Sequence, residues 1–143
     1  MRKFAIAAVV ATALVMATSA SAKPTVTSAD CTLTANAPAL ASVTYGGQTT
    51  PLGFETTTLL KCRKAVRILV WKTTFHGAHP TPGSGDHSRP FTAQAGLRYR
   101  MLAREQICPG GQNGIETNVA FMRVKGHKMV KAVSAPALDN CPA

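Results

Sequence analysis

Thr56-Thr-Thr-Leu-Leu-Lys-Cys62, Arg63-Lys64-Ala65 and Val66-Arg-Ile-Leu-Val-Trp71 follow one another without interruption. β-branched and aromatic side chains lose χ1 freedom in a helix but fit a pleated, half-buried surface. The stretch therefore reads as two strands, Thr56 to Cys62 and Ala65 to Phe75. Arg63-Lys64 between them reads as a tight, solvated hairpin turn.

The same pattern extends in both directions. Cys31-Thr-Leu-Thr-Ala35 alternates until Asn36-Ala-Pro38 breaks it, and Leu40 to Tyr45 is a further strand ended by Gly46-Gly47. Leu97-Arg-Tyr-Arg-Met101 places Leu97, Tyr99 and Met101 on one face and both arginines on the other. A helix over Thr92 to Gln106 competes on propensity, but Gly96 interrupts it and strand is the better reading. Asn118 to Val124 and Lys128 to Ser134 flank Lys125-Gly126, a hairpin turn, and Trp71 is expected in the core. About seven or eight short strands, with turns roughly every 8 to 12 residues, predict an all-β fold. The expected form is a single immunoglobulin-like β-sandwich.

The amino end has another character. Arg2 and Lys3 precede the apolar run Phe4 to Ala17, and Ala20-Ser21-Ala22 is a small-x-small cleavage site. The apolar run is shorter than the roughly 20 residues of a membrane span. Residues 1–22 are expected to be a cleaved signal peptide and residues 23–143 one secreted or periplasmic domain without a membrane span. Losing Arg2 and Lys3 from the 16 Lys and Arg leaves fourteen basic against six acidic residues, a net charge of +8. That balance suits an anionic surface polymer as well as a merely soluble basic surface.

Cys31, Cys62, Cys108 and Cys141 all lie in the exported part. An even count in an oxidising compartment implies two disulfides, with three possible pairings. The sequential one, Cys31–Cys62 and Cys108–Cys141, is favoured because each bridge joins a strand start to a later strand end. Each closes a loop of about 30 residues, worth on the order of 3 to 4 kcal/mol. There is no C-x-x-C pair of the kind found in zinc knuckles or thioredoxin-like sites.

Residues 76–90 hold three prolines and three glycines and read as a long exposed loop. His76, His79, Asp86 and His87 within it form a candidate copper or zinc site, since imidazole and carboxylate suit both ions. For catalysis, Glu55, Glu105, Glu116, Asp86 and the histidines are available, but none sits in a recognisable arrangement. No enzyme is expected. A candidate binding surface consists of Arg98, Arg100, Arg123 and Lys125, extended by Arg104, Lys128 and Lys131. It becomes one basic face if strands 97–103 and 119–131 are neighbours. Tyr99 and Phe121 are expected to point to the core.

Two resemblances follow from these motifs. Cys31-Thr-Leu-Thr-Ala35, Tyr45-Gly46, Thr56-Thr-Thr-Leu-Leu-Lys-Cys62, Val66 to Val70 and Leu97-Arg-Tyr-Arg-Met-Leu102 resemble the spore coat protein U and secreted-pilin family. That likeness implies an immunoglobulin-like domain that assembles by taking up a neighbour's strand, a structural subunit whose partner is a protein or another copy of itself. The family's carboxyl-terminal strand pattern is replaced by Asp139-Asn140-Cys141. Gly77-Ala-His-Pro-Thr-Pro-Gly-Ser84, Ile107-Cys-Pro109, Lys125-Gly126 and Asn140-Cys141 are similar to bacterial subtilisin-type protease inhibitors. This second likeness implies a reactive loop at 107–114 with Gly110 as its P1 residue, and it lacks a cysteine where Gly85 and Asp86 stand. Binding or assembly without catalysis is the leading expectation. Protease inhibition and periplasmic metal binding through the His76–His87 loop are the alternatives.

Overall fold

The computed structural model describes residues 22–77, 85–105 and 114–139. The described chain is all β. In order, the strands are β1 (Thr25–Ser28), β2 (Cys31–Ala35), β3 (Ala39–Tyr45), β4 (Gln48–Cys62), β5 (Val66–Gly77), β6 (Gly85–His87), β7 (Phe91–Ala93), β8 (Arg98–Glu105), β9 (Gly114–Val124), β10 (Val130–Val133) and β11 (Ala137–Asp139). They form two antiparallel sheets. In the first, β4 is central: β2 and β3 pair in succession along one edge of it, β8 pairs along the other, and β1 lies outside β2. In the second, β5 and β9 pair along their length. β6 and β7 share the free edge of β5, and β10 and β11 share that of β9.

The two sheets bury their facing sides in one core. Val26, Leu33, Leu60 and Met101 come from the first sheet, and Ile68, Trp71, Met122, Val124 and Ala132 from the second. Alternation places Phe54, Thr56, Thr58, Leu60 and Cys62 of β4 inward and Glu55, Thr57, Leu59 and Lys61 outward. In β5 a bulge between Ile68 and Val70 shifts the phase by one, so Ile68 and Trp71 both face the core. Trp71 is 4% exposed and its ring meets Phe91, which in turn meets Tyr99.

Two expectations about local structure need correction. Arg63-Lys64 does not turn a hairpin, because β4 and β5 belong to different sheets. The segment carries the chain from one sheet to the other, held by Arg63 and Lys64 on Asp30 at 3.2 and 3.5 Å and by the Arg63 amide on the Asp30 carbonyl. Residues 76–90 are not all loop: His76 and Gly77 end β5, and Gly85–His87 pair with Lys72–Thr74. An added Cβ at Gly85 would sit 2.6 Å from the Thr73 carbonyl oxygen, so this close strand approach needs a glycine.

Cys31 and Cys62 form a disulfide and face each other across the β2–β4 register. The bridge therefore ties neighbouring strands of one sheet rather than one sheet to the other. Cys108 and Cys141 lie outside the described residues, as do the proposed signal segment up to Ser21 and His79. Among the described residues no helix is long and apolar enough to cross a membrane.

At the end of the core away from this bridge the interior turns polar. Asn118 of β9 accepts a hydrogen bond from the Thr73 hydroxyl, which itself accepts one from Thr58 at 3.0 Å. The Asn118 amide group donates to Thr58 and to the carbonyls of Asn36 and Thr57 at 3.2 to 3.4 Å. Ser134, between β10 and β11, exchanges bonds of 2.9 Å with the Asn118 backbone. The breaks after β2, at Asn36, and after β10, at Ser134, thus each supply a partner, which helps buried hydroxyls and an amide to be tolerated there.

Candidate functional site

The register assigns each expected site residue to a face. On β8, Arg98, Arg100, Leu102 and Arg104 point outward opposite Lys61, Leu59, Thr57 and Glu55 of β4. With Thr32 and Thr34 they cover the outer face of the first sheet, where Thr32, Thr34, Leu59, Lys61 and Arg98 line a shallow depression. Arg104 is engaged by Glu55 at 2.7 Å. Arg123 and Lys125 lie instead on the second sheet. The condition for one continuous basic face is not met: β8 and β9 are in different sheets, and the four residues Arg98, Arg100, Arg123 and Lys125 divide two and two.

The outer face of the second sheet carries more charge than that division suggests. Lys72 of β5 is paired on one side with His87 and on the other with Phe121, and Phe121 is paired in turn with Lys131. One transverse row therefore reads His87, Lys72, Phe121, Lys131. Arg123 stands two residues along β9 from Phe121 on the same face, beside Val70. Arg67 and Lys125 meet at the end of the ladder, where the Lys125 amide donates to the Arg67 carbonyl at 2.9 Å. Arg67, Lys72, Arg123, Lys125 and Lys131 are all exposed, and none has a carboxylate partner among the described residues.

Phe121 corrects an expectation. It is half-buried on the outer face and does not enter the core; the Lys72 ammonium lies 4.8 Å from its ring centroid. The signal was present in the sequence, since Phe121, Arg123 and Lys125 share parity along one strand. Tyr99 does turn inward, and its hydroxyl accepts a hydrogen bond from the Gln94 amide at 2.8 Å.

The histidine cluster is only partly described. His76 pairs with Thr117 and His87 with Lys72, so the two imidazoles share the outer face but stand four residues apart along β5, about 13 Å by strand rise. Asp86 pairs with Thr73 and so points to the opposite side of the sheet; its carboxylate accepts the His87 amide at 2.7 Å. Among the described residues no group of three or more His, Cys, Asp or Glu is placed to hold a metal ion. The expected inhibitory loop, 107–114, lies outside the described residues except for Gly114, the first residue of β9.

One further feature escaped sequence reading. β3 and the first part of β4 form a two-stranded ribbon, Ala39–Tyr45 against Gln48–Glu55. Pairing with β8 begins only at Phe54, so residues 48–53 have β3 as their one strand neighbour among the described residues. Among the described residues the outer edge of β3 carries no strand either. Leu40 on this ribbon is 49% exposed. Comparison with protein-family models, with curated proteins and with solved structures returned no match in any of the three.

Proposed function

We propose that the chain is an exported, non-catalytic β domain that acts by binding or assembly, a pilin- or coat-like structural subunit that adds a strand to a second copy. The observation that carries this reading is the β3–β4 ribbon. The outer edge of β3 and, over residues 48–53, the far edge of β4 carry no other strand among the described residues, and open edges are templates for another chain's strand. The segment that follows the proposed cleavage site supports the choice of the ribbon. Lys23 bridges Val133 and β1 pairs with β2, so residues 23–28 are already used within the fold.

The proposal includes an immunoglobulin-like arrangement with a second bridge, Cys108–Cys141. Two facing antiparallel sheets joined by a crossing from β4 to β5 and another from β7 to β8 support the first part. For the second, Gly114 is paired with Asp139, so the segments bearing the two cysteines leave the same end of one sheet.

The test is sedimentation of the oxidised protein over a range from about 1 to 300 µM, with the wild type compared with Leu40→Lys. Strand exchange predicts wild-type oligomers that dissociate only on unfolding, and a monomeric variant of unchanged circular dichroism, because a charge on an edge strand opposes further pairing. A wild type that remains monomeric throughout, or a variant that assembles equally well, refutes the reading.

A further inference from the structure

We propose that the outer face of the second sheet binds a linear anionic polysaccharide, through Lys72, Arg123 and Lys131 with Arg67 and Lys125 at its end. This site is separate from the ribbon and does not depend on assembly.

Asp30 engages Arg63 and Lys64, and Glu55 engages Arg104, so the ion pairs among the described residues sit at the sheet crossing and on the first sheet. The outer side of β5, β9 and β10 holds five exposed cations and no described carboxylate. Adjacent strands are about 4.8 Å apart and alternate residues along a strand about 6.8 Å, so neighbouring cations lie within or close to a Debye length at physiological salt. Their mutual repulsion is unrelieved in the free protein, and an anion spanning several of them gains from each.

The shape of the face favours an extended chain. The row His87–Lys72–Phe121–Lys131 crosses four strands, about 14 Å, and ends at the seam between β10 and β1. There Lys23, Thr25, Thr27, Val130 and Lys131 line a depression, which continues the cationic track beyond the sheet. Ammonium groups and the Arg123 guanidinium bind sulfate, phosphate or carboxylate oxygens by charge-assisted hydrogen bonds.

A nucleic acid suits the face less well. Base stacking needs an open ring, and Phe121 is half-buried with the Lys72 ammonium against it. No described helix or projecting ribbon on this side enters a groove.

The experiment measures binding of the purified, oxidised protein to heparin, to polygalacturonate and to poly(dT) over a salt series. Two triple variants remove equal charge: Lys72→Gln/Arg123→Gln/Lys131→Gln on the second sheet and Lys61→Gln/Arg98→Gln/Arg100→Gln on the first. The expected result is binding of at least one polysaccharide, more tightly than poly(dT). The second-sheet variant should lose about tenfold or more in affinity and flatten the salt dependence by about two contacts, and the first-sheet variant should lose under about threefold. All six residues are exposed, and circular dichroism is used to check that both variants fold. Equal losses in the two variants would show that net charge alone is responsible. Equal losses, tighter binding to poly(dT), or no polysaccharide binding at about 0.1 M salt each overturn the proposal.

Discussion

Replacing Asn118 by Leu tests whether the buried polar end of the core is a connected network or a set of independent bonds. Asn118 is fully buried. Its loss leaves the carbonyls of Asn36 and Thr57 with a partner each, the Thr56 hydroxyl at 2.7 Å and the Asn36 amide at 3.0 Å. The Thr73 hydroxyl, by contrast, loses its acceptor inside a closed interior. Stranding that hydroxyl costs about 1 to 3 kcal/mol, and the lost amide bonds add about 1, for a total near 2 to 4 kcal/mol. The triple variant Asn118→Leu/Thr73→Val/Thr58→Val removes the stranded groups together. It should recover most of that loss, because replacing all partners by apolar groups of similar shape is nearly neutral. Urea denaturation of the oxidised protein, with equal slopes for the variants, measures both values. A triple variant less stable than the single one, by the sum of separate threonine costs, would falsify the network.

Three further outcomes are expected from single features. Cys31→Ala/Cys62→Ala opens a bridge between residues 31 apart in sequence and should lower stability by about 3 to 4 kcal/mol, read as a lower urea midpoint; a loss under about 1 kcal/mol contradicts the constraint. Ala29→Gly should raise stability by about 0.5 to 1 kcal/mol, because Ala29 sits at φ 52° in the β1–β2 turn, where glycine is unstrained; calorimetry showing a lower melting temperature refutes this. Gly126→Ala should cost about 1 kcal/mol at φ 83°, with Gly126→Asn closer to wild type; equal effects of the two would point away from backbone strain.

Most of the fold was legible because alternation, turn residues and β-branched content agreed over the long strands. β2 is legible to the residue, and β3, β5, β8 and β9 are legible as strands. The inward turn of Trp71, Tyr99 and Met101 follows from the pattern, whereas the facing of β9 is the reverse of that expected at Phe121. The missed strands are β1, β6, β7 and β11, each of three or four residues. They are too short to show a period, and they owe their conformation to a partner strand. β1 was hidden further because its turn, Ala29-Asp30, contains none of the glycine or Asn-Gly chemistry that normally announces a hairpin. The misread crossing at Arg63-Lys64 has the same origin. A short polar linker has one local appearance whether the next strand pairs with the last or leaves for another sheet, and only the core decides.

The charged surface shows where local reading stops. Parity along a single strand puts Phe121 with Arg123 and Lys125, against the core placement expected for it, but does not find their neighbours. The row from His87 to Lys131 joins neighbours 10 to 49 positions apart in sequence, set by the β5 bulge and by three antiparallel registers. Shifting β5 by one residue would exchange Lys72 for Trp71 on the outer face and dissolve the row. The packing that buries Ile68, Trp71 and Met122 therefore also fixes the spacing of the cations. For that reason a core substitution that slips this register should weaken polyanion binding without removing a single charge.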